Sequence, residues 1–229
     1  MRLDRYLSQV TELSRSESRQ MIRAGRVSVD GLAIAQPAHQ VDSRAQIHLD
    51  ERLLDRPMPR YYMVNKPAGV VCATRDPSHR TILELLGLSR PKTLHIAGRL
   101  DIDATGLVLV TDDGQWSHRI TSPGRSCGKT YLVTLKYPLQ EAQAATLRQG
   151  VSLRNENKPT RPAELHQLGE TQLTLTITEG RYHQVKRMFA AVGNRVVGLH
   201  RQAIGPLTLD ECLSAGDYRV LTQNEIDSF

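Results

Sequence analysis

Apolar positions near the start of the chain recur with the spacing of an α-helix. Leu3, Leu7 and Val10 fall on one helical face. The sequence Ser-Arg-Ser-Glu at 14–17 has the form of a capping box, in which serine and glutamate side chains satisfy free backbone N–H groups at a helix start. Gly25 is suited to end this second helix. The pattern therefore predicts two short, consecutive helices.

Alternating apolar and polar positions follow these helices. Val27 and Val29 alternate with polar residues before an Asp-Gly turn signal at 30–31, and Ile47 and Leu49 repeat the alternation further on. A period of two is typical of strands with one buried face. Residues 1–55 are thus predicted to form a small domain of two helices and a short sheet.

A charged stretch with two prolines separates this domain from the rest of the chain. Pro57 and Pro59 lie within 56–60, which we interpret as a linker to a second domain at 61–229.

In the second domain strand-like and helix-like segments alternate over 61–64, 81–86, 107–111, 115–121, 130–137, 139–149, 172–178 and 182–192. The chain has 229 residues, 39% of them hydrophobic, which is enough for one main core. The mixture of segments, without an internal repeat, predicts the α+β class.

The composition narrows the choice of partner and environment. A formal net charge of +6 favours a polyanionic partner. No apolar run reaches the roughly 18 residues of a membrane span, and the charged start is unlike a signal peptide, so we expect a cytoplasmic protein. Cys72, Cys127 and Cys212 show neither the spacing of a disulfide framework nor that of a zinc site. We expect no metal and no cofactor.

An arginine stripe follows the second predicted helix. Arg15, Arg19, Arg23 and Arg26 succeed one another at intervals of four, four and three, which places them along one helical face. Such runs of charge often form only a solvated surface. Because Glu17 serves the capping box and the stripe itself lacks acidic partners, we favour contact with the phosphates of a nucleic acid.

Three further motifs carry candidate chemistry. They read Gly-Arg-Leu-Asp-Ile-Asp-Ala-Thr-Gly-Leu at 98–107, Lys-Thr-Tyr-Leu-Val at 129–133 and Glu-Gly-Arg-Tyr-His-Gln-Val-Lys-Arg-Met at 179–188. Asp101 lies in a glycine-bounded loop that leads directly into an apolar strand, a common mounting for a catalytic group. On spacing alone, Asp101 could instead close a turn, and Asp103 is a rival carboxylate on the same loop.

These motifs, in this order and spacing, resemble those of the pseudouridine synthases of the RsuA and RluA superfamily. The N-terminal residues resemble the S4 RNA-binding domain, so the resemblance covers nearly the whole chain. The third motif is most similar to that of the RsuA family, which acts on small-subunit (16S) ribosomal RNA. The resemblance implies a catalytic domain with a long, mixed, mostly antiparallel sheet and an active cleft across its middle.

The resemblance also implies roles for individual residues. Asp101 would start the isomerisation by attack on the base or on the sugar, and Tyr131 would face the target uracil. Lys186 would pair with the aspartate, at a position where many family members have arginine. The residues expected to contact RNA are Arg2, Arg5, Arg15, Arg19, Arg23, Arg26, Lys66, Arg99, Arg181, His183 and Arg187.

The implied partner is ribosomal RNA, and we expect a monomer that acts on 16S rRNA within a small-subunit assembly intermediate, away from membranes. Two alternatives stay open, a related synthase for 23S rRNA and a noncatalytic S4-type RNA-binding or ribosome-assembly factor. A metal-dependent nuclease is less favoured, because only Asp112 and Asp113 suggest an acidic cluster. Their place just before Gly114 is more typical of a helix cap.

Overall fold

The computed structural model describes residues 1–42, 44–88 and 93–229. The chain divides into two compact units, Met1–Pro59 and Arg60–Phe229.

The first unit contains the two predicted helices and a small antiparallel sheet. The helices are α1 (Leu3–Val10) and α2 (Arg15–Arg23), and the strands are β1 (Val27–Val29), β2 (Leu32–Ala33), β3 (Ile47–Leu49) and β4 (Arg52–Leu53), in the order β2-β1-β3-β4. The capping box is present, since Ser14 Oγ accepts from the Glu17 amide at 3.2 Å and Glu17 Oε2 accepts from the Ser14 amide at 2.6 Å. Leu3, Leu7 and Ile22 are fully buried between the helices and the sheet.

The second unit mixes strands and helices, as the segment pattern predicted. Its strands are β5 (Tyr61–Lys66), β6 (His95–Ala97), β7 (Thr105–Thr111), β8 (Lys129–Leu135), β9 (Glu164–Gln167), β10 (Gln172–Ile177), β11 (Val196–Ile204), β12 (Leu207–Thr208) and β13 (Tyr218–Val220). Its helices are α3 (Ile82–Leu86), α4 (Gly114–Thr121), α5 (Glu141–Gln149), α6 (Gln184–Ala191) and α7 (Gln223–Asp227).

One large sheet organises this unit and confirms the predicted α+β class. Its order is β13-β5-β7-β11-β8-β10-β9, with β6 also paired to β7 and β12 to β11. Among the strand pairs of the described ranges, β7 with β11 is parallel and the others are antiparallel. The sheet is therefore mixed and mostly antiparallel.

Strand β7 lies at the centre of the unit and is buried on both faces. Because neighbouring side chains point to opposite sides of a strand, Val108 and Val110 join one apolar cluster while Leu107 and Leu109 join another. All four side chains are inaccessible to solvent. Burial on both faces explains why this segment is a continuous apolar run. It also gives the loop that precedes β7 a rigid support.

Strand β11 is the main element that the apolar pattern did not predict. Its pairing with β8 shifts register between Val196 and Gly198 and again between Arg201 and Ala203. Each such irregularity inserts an unpaired residue and changes which side chains face the core. The expected alternation is therefore interrupted twice, although the strand occupies the middle of the sheet.

Candidate active site

The loop at 98–104 joins β6 to β7 and holds the candidate carboxylates. Two glycines allow its path. Gly98 has φ +95° and Gly106 has φ +100°, a region that L side chains rarely adopt. At Gly106 a Cβ atom would also lie 2.3 Å from the carbonyl oxygen of Arg201, so no other residue fits where β7 passes β11.

The side chain of Arg201 fastens both ends of this loop. It is only 1% exposed. Its Nη2 donates to the Gly98 carbonyl at 2.7 Å, Nη1 to the Arg99 carbonyl at 3.3 Å and Nε to the Leu107 carbonyl at 2.7 Å. A planar guanidinium with several donors is suited to bridge three carbonyls at once. Arg201 was not among the residues predicted from the sequence, where the available signal was a single arginine within β11.

Lys66 supports the same loop from the inside of the unit. Its Nζ donates to the carbonyls of Pro67, Ile102 and Ala104 at 3.0, 3.2 and 2.6 Å. The side chain is fully buried, and this burial lowers the pKa of its ammonium. The prediction that Lys66 contacts RNA is therefore wrong for this structure, because no part of the side chain reaches the surface.

Asp101 and Asp103 converge on the cation of Lys186. The Lys186 Nζ lies 3.4 Å from Asp101 Oδ2 and 2.5 Å from Asp103 Oδ1. His183 approaches from the other side, with Nε2 3.4 Å from Asp101 Oδ1. The Asp101 side chain is 23% exposed, whereas that of Asp103 is 66% exposed. Asp101 thus lies between a lysine and a histidine with most of its side chain covered, and Asp103 is mainly exposed to solvent.

The shared lysine couples the two acids electrostatically. The hydrogen bond from Lys186 holds the pKa of Asp103 below its ordinary value. Partial burial acts to lower the pKa of Lys186, but the hydrogen bond to Asp103 and the charge of Asp101 outweigh it and raise that pKa. The ammonium therefore keeps its positive charge beside Asp101 throughout the neutral range.

The segment before α6 carries His183 in an unusual backbone conformation. His183 has φ +47°, a left-handed conformation that costs a non-glycine residue roughly 1–3 kcal/mol. The neighbouring side chains fix this backbone, since Gln184 Oε1 accepts from the Arg181 amide at 2.8 Å and Arg187 Nη1 donates to the Tyr182 carbonyl at 3.1 Å. The conformation directs the imidazole towards Asp101.

Arg181 and Arg187 are engaged in holding a neighbouring loop. Arg181 donates to the carbonyls of Lys158 and Pro159 at 2.8 and 2.7 Å, and Arg187 donates to the Arg154 carbonyl at 2.7 Å. Both guanidinium groups are partly exposed. Their observed contacts are structural, and contact with RNA stays a prediction for them.

Tyr131 lies on β8 with its ring mostly buried. It is 7% exposed, and the Arg201 guanidinium carbon is 5.9 Å from its ring centroid. As the alternation predicted, Tyr131, Val133 and Leu135 share the buried face of the strand. Arg201 therefore links the tyrosine to the loop of Asp101.

Comparison with known proteins agrees with this arrangement. A family model described as RNA pseudouridylate synthase matches residues 60–191. The chain belongs to this family. A second family model, described as the S4 domain, matches residues 1–47 of the synthase.

Full-length relatives carry a more specific name. Ribosomal small subunit pseudouridine synthase A of Salmonella typhimurium is 54% identical, and that of Escherichia coli K12 is 52% identical, each alignment covering 100% of this chain and 99% of the relative. A solved structure described as a pseudouridylate synthase is 48% identical, with a TM-score of 0.73 over 100% of this chain and 99% of that one. The synthase fold is thus shared over its whole length.

The S4 domain of this synthase presents its arginines around a buried acid. The Asp4 carboxylate is inaccessible to solvent and binds Arg2, Arg15 and Arg19 at 2.9, 3.3 and 3.0 Å. These hydrogen bonds, that of Arg2 first, hold the pKa of Asp4 far below its ordinary value. The expectation that the stripe lacks acidic partners was therefore wrong. The partner comes from α1, which the spacing within α2 does not reveal.

The other arginines expected to contact RNA in this domain are exposed. Arg26 pairs with Asp50, and Arg5 and Arg23 lie on the surface with their side chains accessible. Three guanidinium groups around one carboxylate leave an excess of positive charge on this face. Their ordered geometry is compatible with phosphate contacts.

The acidic pair that suggested a metal site has structural partners. Asp112 accepts from the Arg60 Nε at 2.8 Å, and Asp113 accepts from the amides of Gln115 and Trp116 at the start of α4. This confirms the predicted cap. The described ranges contain no group of acidic, histidine or cysteine side chains arranged to hold a metal, and no helix in them is long and apolar enough to cross a membrane.

Proposed function

We propose that this synthase converts one uridine of 16S ribosomal RNA into pseudouridine, with Asp101 as the initiating residue. The observation that carries the proposal is the position of the partly buried Asp101, 3.4 Å from both Lys186 Nζ and His183 Nε2. The names of the full-length relatives supply the small-subunit assignment. The substrate is ribosomal RNA within a small-subunit assembly intermediate, and the enzyme acts as a cytoplasmic monomer.

The isomerisation is balanced without an added reagent. The N1–C1′ bond breaks, the uracil rotates, and a C5–C1′ bond forms while C5 loses a proton and N1 gains one. A carboxylate can start this sequence as a nucleophile towards the base or the sugar, or as a proton acceptor. Lys186 holds positive charge beside that carboxylate, and the Tyr131 hydroxyl is available for proton transfer next to the uracil.

The uridine has to leave its stack before it reaches Asp101. Extrusion of a nucleotide costs a few kcal/mol, and stacking on an aromatic ring returns about 1–3 kcal/mol. Tyr131 supplies one such ring. Arg99, exposed on the loop of Asp101, contacts the RNA backbone or occupies the space that the base vacates.

The N-terminal domain, proposed as residues 1–55, supplies binding that does not depend on the chemistry. Arg2, Arg5, Arg15, Arg19, Arg23 and Arg26 contact phosphates of a structured RNA segment. Residues 56–60 link it to the catalytic domain at 61–229. A substrate must satisfy both domains together, which favours a folded rRNA over short unstructured RNA.

Mapping of pseudouridine across both large rRNAs tests the proposal. Unmodified 16S and 23S rRNA, free and as assembly intermediates, are incubated with the purified protein and compared with samples that received Asp101→Asn protein. We expect one new pseudouridine in 16S rRNA and none in 23S rRNA. A product only in 23S rRNA would contradict the small-subunit assignment, and no product in either RNA would favour a noncatalytic RNA-binding factor.

A further inference from the structure

An exposed aromatic ring stacks on the histidine that contacts the proposed catalytic group, and it takes no part in the mechanism described above. Tyr182 is 76% exposed, which is unusual for a large aromatic side chain in a folded domain. Its ring stacks on the imidazole of His183, with centroids 3.8 Å apart and planes inclined by 20°. The same imidazole is 3.4 Å from Asp101. Tyr182, His183 and Asp101 thus form a continuous series of contacts from the exposed ring to the partly buried carboxylate.

The backbone that carries the two rings is held rigidly. The Tyr182 carbonyl accepts from Arg187, the His183 carbonyl accepts from the Arg187 amide at 3.0 Å, and Gln184 binds the Arg181 amide. The left-handed conformation of His183 is maintained by these contacts rather than by burial of Tyr182. A fixed, exposed ring loses little conformational freedom when a flat ligand stacks on it.

We infer that Tyr182 and His183 form a stacking platform for an unpaired nucleobase that flanks the target uridine. The inner face of the Tyr182 ring is covered by His183, and its outer side is open to solvent. Unpaired bases in RNA are commonly recognised by stacking on aromatic side chains. The inference rests on the proposed function, because it takes the target uridine to be held at Asp101, one histidine away.

A nucleobase fits this surface better than a protein partner. Because the proposed substrate at Asp101 is one nucleotide of an RNA strand, the neighbouring nucleotides of that strand lie nearest to the Tyr182 ring. A platform of this kind would select the strand around the uridine, whereas Asp101 acts on the uridine itself.

The test compares Tyr182→Leu, Tyr182→Phe and the control Tyr137→Leu with the wild-type protein. Tyr137 is 51% exposed and lies beyond the end of β8, the strand that carries Tyr131. Pseudouridine formation is first mapped in 16S rRNA. It is then measured as kcat and KM on a synthetic 16S rRNA fragment that contains the target uridine. Thermal unfolding of each variant reports folding separately.

We expect Tyr182→Leu to lower kcat/KM about 5- to 150-fold, because one stacked base is lost. Tyr182→Phe and Tyr137→Leu should stay within about twofold of wild type. Abasic residues are then placed singly at the nucleotides flanking the uridine. At one of these positions, the abasic residue should lower kcat/KM of the wild-type protein by the same factor as Tyr182→Leu does. The abasic residue should not lower kcat/KM of Tyr182→Leu any further, since that variant has already lost the stacking contact.

Three results would overturn the inference while leaving the proposed function intact. Wild-type kinetics for Tyr182→Leu would exclude a binding role for the ring. Equal losses for Tyr182→Leu and wild type at every abasic site would show that no flanking base stacks on it. An effect of Tyr182→Leu on assembly intermediates but not on the naked fragment would indicate a protein contact instead. Wild-type protein that forms no pseudouridine in 16S rRNA would overturn the proposed function first, and the platform with it.

Discussion

Asp101 and Asp103 share one cation but differ in their surroundings. Asp103 binds Lys186 more closely, at 2.5 Å, yet most of its side chain is in contact with solvent. Asp101 is the less exposed acid and is the one that also meets His183. A group that attacks an extruded base has to lie where water is largely excluded, and this condition favours Asp101.

Replacement of each acid by its amide tests this distinction. We expect Asp101→Asn to abolish pseudouridine formation while RNA affinity stays within a few fold, because the amide keeps the shape but is neither a nucleophile nor a base. The matched variant Asp103→Asn should keep substantial activity. Single-turnover kinetics and a binding titration measure the two effects. Normal turnover by folded Asp101→Asn protein would transfer the role to another residue.

Lys186 places a positive charge beside both acids of the site. We expect Lys186→Ala to reduce kcat much more than affinity, since the loss leaves both acids without their shared cation. Lys186→Arg should retain part of the activity, because guanidinium keeps the charge with a different geometry. Steady-state kinetics on 16S rRNA provide the measurement, and an unchanged kcat for the alanine variant would contradict the role.

At the scale of elements, helix α2 carries arginines whose positions follow from the sequence and for which we predict contact with RNA. Its start is fixed by the capping box and its arginines by their spacing, and Arg15 and Arg19 are further ordered by Asp4. Arg23 is exposed on the same face. Each phosphate that an arginine neutralises releases counterions, so contact with RNA has a measurable dependence on salt.

Arg23→Gln should therefore reduce the slope of log affinity against log salt by about 0.7–0.9, which corresponds to one lost phosphate contact. Arg148→Gln in α5 of the catalytic unit removes the same charge and serves as the control, with the slope expected to remain unchanged. Filter-binding titrations with 16S rRNA at several salt concentrations measure both. Equal slopes for Arg23→Gln and wild type would show that this arginine does not touch RNA.

Elements whose signals are local could be predicted from the sequence. The capping box of α2, the cap of α4 and the apolar run of β7 all depend on neighbouring residues. Strand β11 escaped prediction because its two irregularities interrupt the alternation. The reach of Arg201 to Gly98 and of Asp4 to Arg19 depends on how distant segments pack, and no local spacing encodes it.

The residues of the candidate site show the same difference between local and long-range signals. The motifs supplied Asp101, Tyr131 and Lys186 as candidates, and the structure brings Asp101 and Lys186 into contact. No local feature distinguished Lys66 from the surface cations, because lysine side chains are mostly exposed. Only the fold shows that three carbonyls surround its ammonium.

At the scale of the whole molecule, the C-terminal helix is attached by an ion pair with a defined dependence on pH. Arg219 donates to both carboxylate oxygens of Glu225, at 2.9 and 2.7 Å. This hydrogen bonding lowers the pKa of Glu225 to about 2 from an ordinary value of 4.5. A lowered carboxylate pKa stabilises the folded state above the unfolded pKa, and the contribution is lost as the pH falls towards the folded one.

Wild-type protein should therefore lose thermal stability more steeply than Glu225→Gln between pH 4.5 and pH 2, because only the wild type has this carboxylate to protonate. Glu211→Gln, at an exposed nearby position, should follow the wild-type curve. Unfolding followed by circular dichroism at a series of pH values provides the test. Parallel curves for Glu225→Gln and wild type would show that the pair adds no stability.

The contacts of Arg201 also bear on how the enzyme comes into being during translation. The residue closes a loop that lies 94 to 103 positions earlier in the chain. A nascent polypeptide released after β10 would contain Asp101, Tyr131 and most of the apolar core, but not the guanidinium that fastens the loop. Because Arg201 lies in β11, the loop of Asp101 gains these three hydrogen bonds only after β11 has left the exit tunnel.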